Sequence, residues 1–190
     1  MNYLHSPKAP KGLYSPIKPG EMGGEIISFS VLGPSLFTVT IGLWIVGMAL
    51  AGLADLGSAL KIVFVVGIAL GIPFIWFLNM GDYYSATIVG VAGTFNFLQA
   101  GLGGFFEDYD AKTSSQVLTY VGIFLAVSGT VAIIRNISVY VGAWLWLAGV
   151  ILWLITLAVY EIASRACAGG VIIISVINTI LSYIIWLGYV

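Results

Sequence analysis

Ionisable side chains are scarce in this chain: seven Lys or Arg and eight Asp or Glu among 190 residues, 8% of the whole. A soluble domain carries about 25%, so there is too little charge here to cover a water-facing surface. The net charge of -1 comes without a basic patch, which argues against nucleic acid as a partner. A single cysteine, Cys167, excludes an internal disulfide. The single histidine, His5, lies far from it in the chain, so no His/Cys metal site is expected. Neither a phosphate-binding glycine loop nor a nucleophile elbow occurs; no enzyme activity and no cofactor are expected. Residues 1–25 contain four prolines and no apolar run. They read as an extended polar tail without a cleavable signal.

What the chain has instead is apolar length, with 60% hydrophobic residues and a mean hydropathy of +1.07. The runs are continuous over about 18 to 22 residues, enough to cross roughly 30 Å of hydrocarbon as a helix. Barrel strands would alternate over about ten residues. Six spans are expected: Ile26 or Val31 to Leu53, Leu60 to Leu78, Tyr83 to Phe105, Val117 to Ile134, Val139 to Tyr160, and Val171 to Tyr189. Their short links make consecutive helices antiparallel neighbours. The expected fold is an all-α integral protein of the cell membrane, with three helical hairpins in residues 26–190. Lys8, Lys11, Lys18 and Arg135 fall on one side, and Lys61, Lys112 and Arg165 on the other, so charge bias hardly orients it.

The third span is unusually polar. "YSATIVGVAGTFNFLQAG", Tyr84–Gly101, carries Ser85, Thr87, Thr94, Asn96 and Gln99. On a helical wheel Thr87, Gly90, Gly93, Thr94 and Gly101 share a broad face of small residues, the pattern that lets membrane helices approach closely. The two threonines can bond back to the preceding turn. Val91, Phe95 and Gln99 form a second stripe, with Asn96 at its flank. Such a stripe suits a narrow path for a small uncharged solute, with apolar walls and an amide that replaces lost water; it equally suits amides bonded to a neighbouring helix. In the fifth span Trp146, Trp153 and Tyr160 recur every seven residues, with Gly142 and Gly149 on the same side. Trp153 lies well inside the span, so it either packs in protein or lines a path. Glu161, at the helix end, is either solvated at the interface or a solute contact.

Two of these spans resemble a known family. "YYSATIVGVAGTFNF", Tyr83–Phe97, is similar to the third helix, "YGxATGxxxGFTYLY", of the six-span urea and short-chain amide channels. Ala86, Thr87 and Thr94 keep the spacing, and Phe95 falls where an aromatic pore residue sits. "WLAGVILWLITLAVYE", Trp146–Glu161, resembles that family's fifth helix, "WLAWGVLWLTAFIE". Trp146 and Trp153 match its outer tryptophans, Gly149 replaces the middle one, and Glu161 comes two residues late. The likeness extends loosely over residues 32–190. The histidine-bearing loops behind proton gating are missing, and the proline-rich tail is not part of the pattern. The acetate and succinate uptake transporters are a second resemblance. Gly93–Asn96 partly echoes their "YGSFW" helix, and "LGPSLFT" with Gly33 and Pro34 echoes their "NPAPLGL".

Both resemblances imply a ring-like homo-oligomer, a hexamer, of multi-pass protomers. The first implies a channel for urea or short amides running past Val91, Phe95, Asn96, Gln99, Trp146, Trp153, Tyr160 and Glu161. The second implies a proton-coupled carrier of acetate or another monocarboxylate, although no ionisable residue is expected at mid-membrane. A third reading is a non-transporting structural subunit, bound to other membrane subunits through residues 1–25.

Overall fold

The computed structural model describes residues 29–106 and 109–188, together with Ser15–Pro16 and Ile26–Ile27. The remainder of the 1–25 tail, with His5, Lys8, Lys11 and Lys18, lies outside the described residues, as do Glu107, Asp108 and Tyr189. Two strands of two residues each, β1 (Ser15–Pro16) and β2 (Ile26–Ile27), pair antiparallel. All the other elements are helical: α1 (Phe29–Leu50), α2 (Leu56–Met80), α3 (Tyr83–Thr87), a π-helix π1 (Ile88–Phe95), α4 (Asn96–Leu102), α5 (Ala111–Ile134), α6 (Val139–Val159) and α7 (Ser164–Trp186).

Five of these helices, α1, α2, α5, α6 and α7, are long and apolar enough to cross a membrane, which makes this a multi-pass membrane protein. A helix suits that solvent because it pairs its backbone groups internally. Between α2 and α5 the chain runs α3–π1–α4 without a break. The residues on either side of π1 keep right-handed helical dihedrals, −64° and −42° at Thr87 and −65° and −41° at Asn96. Only the bonding pattern widens, so that the Asn96 N–H reaches back five residues to the Val91 carbonyl.

Three helices begin earlier than hydropathy places them: α2 at Leu56, α5 at Ala111 and α7 at Ser164. Their first turns are too polar to register as apolar runs. Side-chain caps start two of them. The Asp55 carboxylate accepts from the Ser58 N–H at 2.7 Å, and Asp110 accepts from Lys112 and Thr113 at 3.0 and 3.3 Å. At the far end of α2, Gly81 takes the left-handed conformation (φ 75°) that terminates the helix.

Packing follows chain order around a ring. α1 lies on α2, α2 on the α3–π1–α4 run, that run on α5, α5 on α6, α6 on α7, and α7 back on α1. α1 also reaches α6 and π1, so these three meet near the centre. Burial agrees: α1 and α6 bury 50% and 56% of their apolar windows, against 22% for α2.

Lipid tails are as apolar as Leu, so helix association rests on close fit rather than on escape from water. Glycines supply that fit. A Cβ on Gly129 of α5 would lie 2.7 Å from the Gly142 carbonyl of α6, and one on Gly142 would lie 2.9 Å from the Gly129 carbonyl. Gly122 and Gly149 repeat the relation, at 3.1 and 2.7 Å. On the other side of the ring, a Cβ on Gly101 would stand 2.5 Å from the Phe64 backbone nitrogen. Gly129→Leu is therefore expected to destabilise the protein by about 1–3 kcal/mol through forced separation of α5 and α6. Gly169→Ala, with nothing within 4 Å of the new methyl, should be near neutral. Thermal unfolding in detergent checks both.

Candidate functional site

The polar third span sorts into faces, and the π turn sets them. Tyr83, Thr87, Val91 and Phe95 follow one another at intervals of four along the outer surface. Val91 is 39% and Phe95 57% exposed, and the Phe95 ring stands edge-on to Phe74 at 5.7 Å. An α-helix with 3.6 residues per turn would drift off a four-residue repeat; the wider π turn keeps these side chains in line. The opposite face carries Asn96, 4% exposed, directly after π1.

Asn96 lines a partly open cavity of about 80 Å³ between the helices. Leu43 and Val46 of α1, Val63 of α2, Ala100 of α4, Ser114 and Leu118 of α5, and Ile155 of α6 contribute to its walls. A water needs about 10–15 Å³ by such a measure, so there is room for several waters or one solute of a few heavy atoms. The rim is formed by Leu50, Leu56, Tyr109 and Ala111, where α1 ends and α2 and α5 begin. No Lys, Arg, His, Asp or Glu lines the cavity among the described residues.

Its polar groups are unevenly served. Gln99 donates through Nε2 to Ser114 Oγ at 2.7 Å, and the Tyr109 hydroxyl also donates to Ser114 Oγ. The Asn96 Oδ1 and Gln99 Oε1 atoms are buried and have no hydrogen-bond partner among the described residues. Leaving a buried acceptor unpaired costs about 1–3 kcal/mol, a cost that a donor entering the cavity would remove. Burial pushes the Tyr109 phenol above its ordinary value, against the opposing bond to Ser114, so it remains a hydrogen-bond donor at neutral pH. The Asp110 carboxyl next to it is held low, first by its bond from the Thr113 side chain and then by the Thr113 backbone N–H.

The aromatic series on α6 is elsewhere. Trp146 Nε1 donates to Thr130 Oγ1 at 3.2 Å, Trp153 Nε1 to the Thr119 carbonyl at 3.2 Å, and Tyr160 accepts from Gln116 Nε2 at 3.1 Å. All three partners belong to α5, so the heptad clasps α5 to α6. Room for the indoles comes from glycine: a Cβ on Gly122 would meet Trp153 Nε1 at 2.6 Å. Glu161 is exposed in a left-handed turn (φ 62°) just past α6. Among the residues assigned a solute path by sequence, Asn96 lines the cavity and Gln99 borders it through Ser114. Val91, Phe95, Trp146, Trp153, Tyr160 and Glu161 do not line it.

Of the small residues, Gly90 lies under the Phe74 ring and Gly93 against Leu70, with Cβ distances of 2.7 and 3.0 Å. Gly101, Gly142 and Gly149 make the helix contacts described above. Thr87 is exposed and donates to the Tyr83 carbonyl at 2.6 Å. Thr94 sits within π1, where the backbone leaves the i−4 pattern, and its buried Oγ1 has no partner among the described residues.

A second polar cluster lies between α6 and α7. Trp144 Nε1 donates to Ser182 Oγ at 2.9 Å, Ser182 to the Asn178 carbonyl at 2.8 Å, and Asn178 Nδ2 to the Trp144 carbonyl at 3.4 Å. Asn178 Oδ1 and Ser175 Oγ are buried and have no partner among the described residues. Ser175, Asn178 and Ser182, at intervals of three and four, were the available signal. Nothing in "EDYDAKTSS" marks Tyr109 and Ser114 as cavity residues.

Compared with family models, with curated proteins and with solved structures, the chain matches none. Trp153→Phe, which keeps an aromatic ring but removes the bond to α5, should cost about 0.5–1.5 kcal/mol in thermal unfolding and leave the cavity intact.

Proposed function

We propose that the chain is a six-span protomer of a homo-oligomeric channel in the cell membrane, passing small uncharged polar solutes of the urea or short-amide type. In this reading α3–π1–α4 is the sixth crossing, and its 20 residues reach about 30 Å at helical rise. The observation that carries the reading is the cavity among the inner helices, walled by aliphatic side chains and presenting the unpaired Asn96 carbonyl oxygen. An apolar wall strips water from a solute, and a fixed acceptor returns one of the lost bonds. The ring of helices and the resemblance of the third and fifth spans to urea and amide channels point the same way.

The lining also separates this reading from the monocarboxylate carrier. One unpaired oxygen in a lining that holds no Lys, Arg or His among the described residues suits a solute that brings N–H donors and opposes a carboxylate, whose burial needs a countercharge or donors. No observation favours the structural-subunit reading, because the tail it depends on, apart from Ser15–Pro16, lies outside the described residues.

Swelling of proteoliposomes in urea, acetamide and acetate tests the proposal. Urea and acetamide should enter and acetate should not. Asn96→Leu should lower urea entry about tenfold or more, by filling the cavity and removing the acceptor. Phe95→Ala, outside the cavity, should stay within about twofold of the parent protein. Equal urea entry through the parent protein and the Asn96→Leu variant would sink the assignment.

A further inference from the structure

The rim of the cavity contains one residue that no helix holds. Tyr109 stands in the connection between α4 and α5, half-buried, and its side chain lines the cavity. Two contacts fix it there. Its hydroxyl donates to Ser114 Oγ, inside the first turn of α5, where Gln99 Nε2 also donates. Its ring lies against Gly103, so closely that a Cβ there would overlap ring carbon Cε1. Any side chain at position 103 would push the ring away, and Gly103 is thus a condition of the tyrosine's placement.

We propose that Tyr109 sizes the mouth of the cavity, admitting molecules of a few heavy atoms and turning away larger ones. This rests on the cavity being the solute's site. The ring supplies the bulk, and the bond to Ser114 keeps it across the rim. Leu50, Leu56 and Ala111, the other rim residues, are anchored in helices and lack a polar group that could be latched. A single hydroxyl–hydroxyl bond is a weak latch. Losing it should raise the fraction of time the ring swings clear by about fivefold.

The test reads access to the cavity directly, independent of transport. Ala100, a small residue in the cavity wall, is changed to cysteine in a Cys167→Ser background, and the full-length protein is reconstituted in vesicles. Two neutral methanethiosulfonates, one methyl and one benzyl, are applied to this protein with Tyr109, with Tyr109→Phe and with Tyr109→Ala. The methyl reagent should react about fivefold faster in the Phe variant, where only the latch is lost. In the Ala variant the benzyl reagent should gain more than the methyl one, about tenfold or beyond. Thr113→Cys, exposed beside the same mouth, should react alike in all three and controls for reagent delivery, and an unchanged thermal unfolding profile in detergent controls for folding. A benzyl-to-methyl ratio that is the same with Tyr109 and with Tyr109→Ala overturns the proposal, whatever the flux. A ratio that rises in a protein that passes neither urea nor acetamide upholds Tyr109 as the mouth residue and overturns the channel reading instead.

Discussion

A polar side chain placed in hydrocarbon must find its partner inside the protein, and most of this structure can be understood as the outcome of that requirement. Thr38, Thr40, Thr87, Thr130 and Thr179 bond to carbonyls four residues back. Trp144, Trp146 and Trp153 reach across to neighbouring helices. Once these are paired, the exceptions among the described residues stand out: the buried oxygens of Ser85, Thr94, Asn96, Gln99, Ser175 and Asn178. Only Asn96 among them lines the cavity, which is why the functional reading centres on it.

Close packing makes that cavity possible. Glycine pairs bring α5 and α6 to carbonyl contact, and Gly101 brings α4 onto the backbone of α2. These tight seams are two of the ring's six, whereas α4 and α5 touch less extensively. The cavity opens beside that looser seam, with Tyr109 from the connection between the same two helices in its lining. Sites between helices of a bundle commonly arise where facing side chains fail to fill the space.

Much of the fold was legible because length and hydropathy alone decide whether a segment can cross a bilayer. Five spans agree with the sequence to within a few residues at most ends. The early starts of α5 and α7 were not legible, since "AKTSSQ" and "SRACAGG" are polar helical turns without an apolar signature. Of the small residues in the third and fifth spans, Gly90, Gly93, Gly101, Gly142 and Gly149 lie in close contacts, whereas Thr87 is exposed. The cavity side of the third span was not legible. A wheel drawn at 3.6 residues per turn puts Val91, Phe95 and Gln99 on one line, whereas in the structure the eight-residue π segment leaves Val91 and Phe95 outward and Gln99 turned inward with Asn96.

By itself, the sequence determined the membrane class, the helical content and the spacing of glycine and tryptophan, because these depend on composition and on neighbours within one helix. Tertiary structure alone decided which amide meets a cavity, that the Trp146–Trp153–Tyr160 series clasps α5, and that Tyr109 stands at a rim. Each of these depends on which helix lies opposite and at what rotation, and no single helix carries that information.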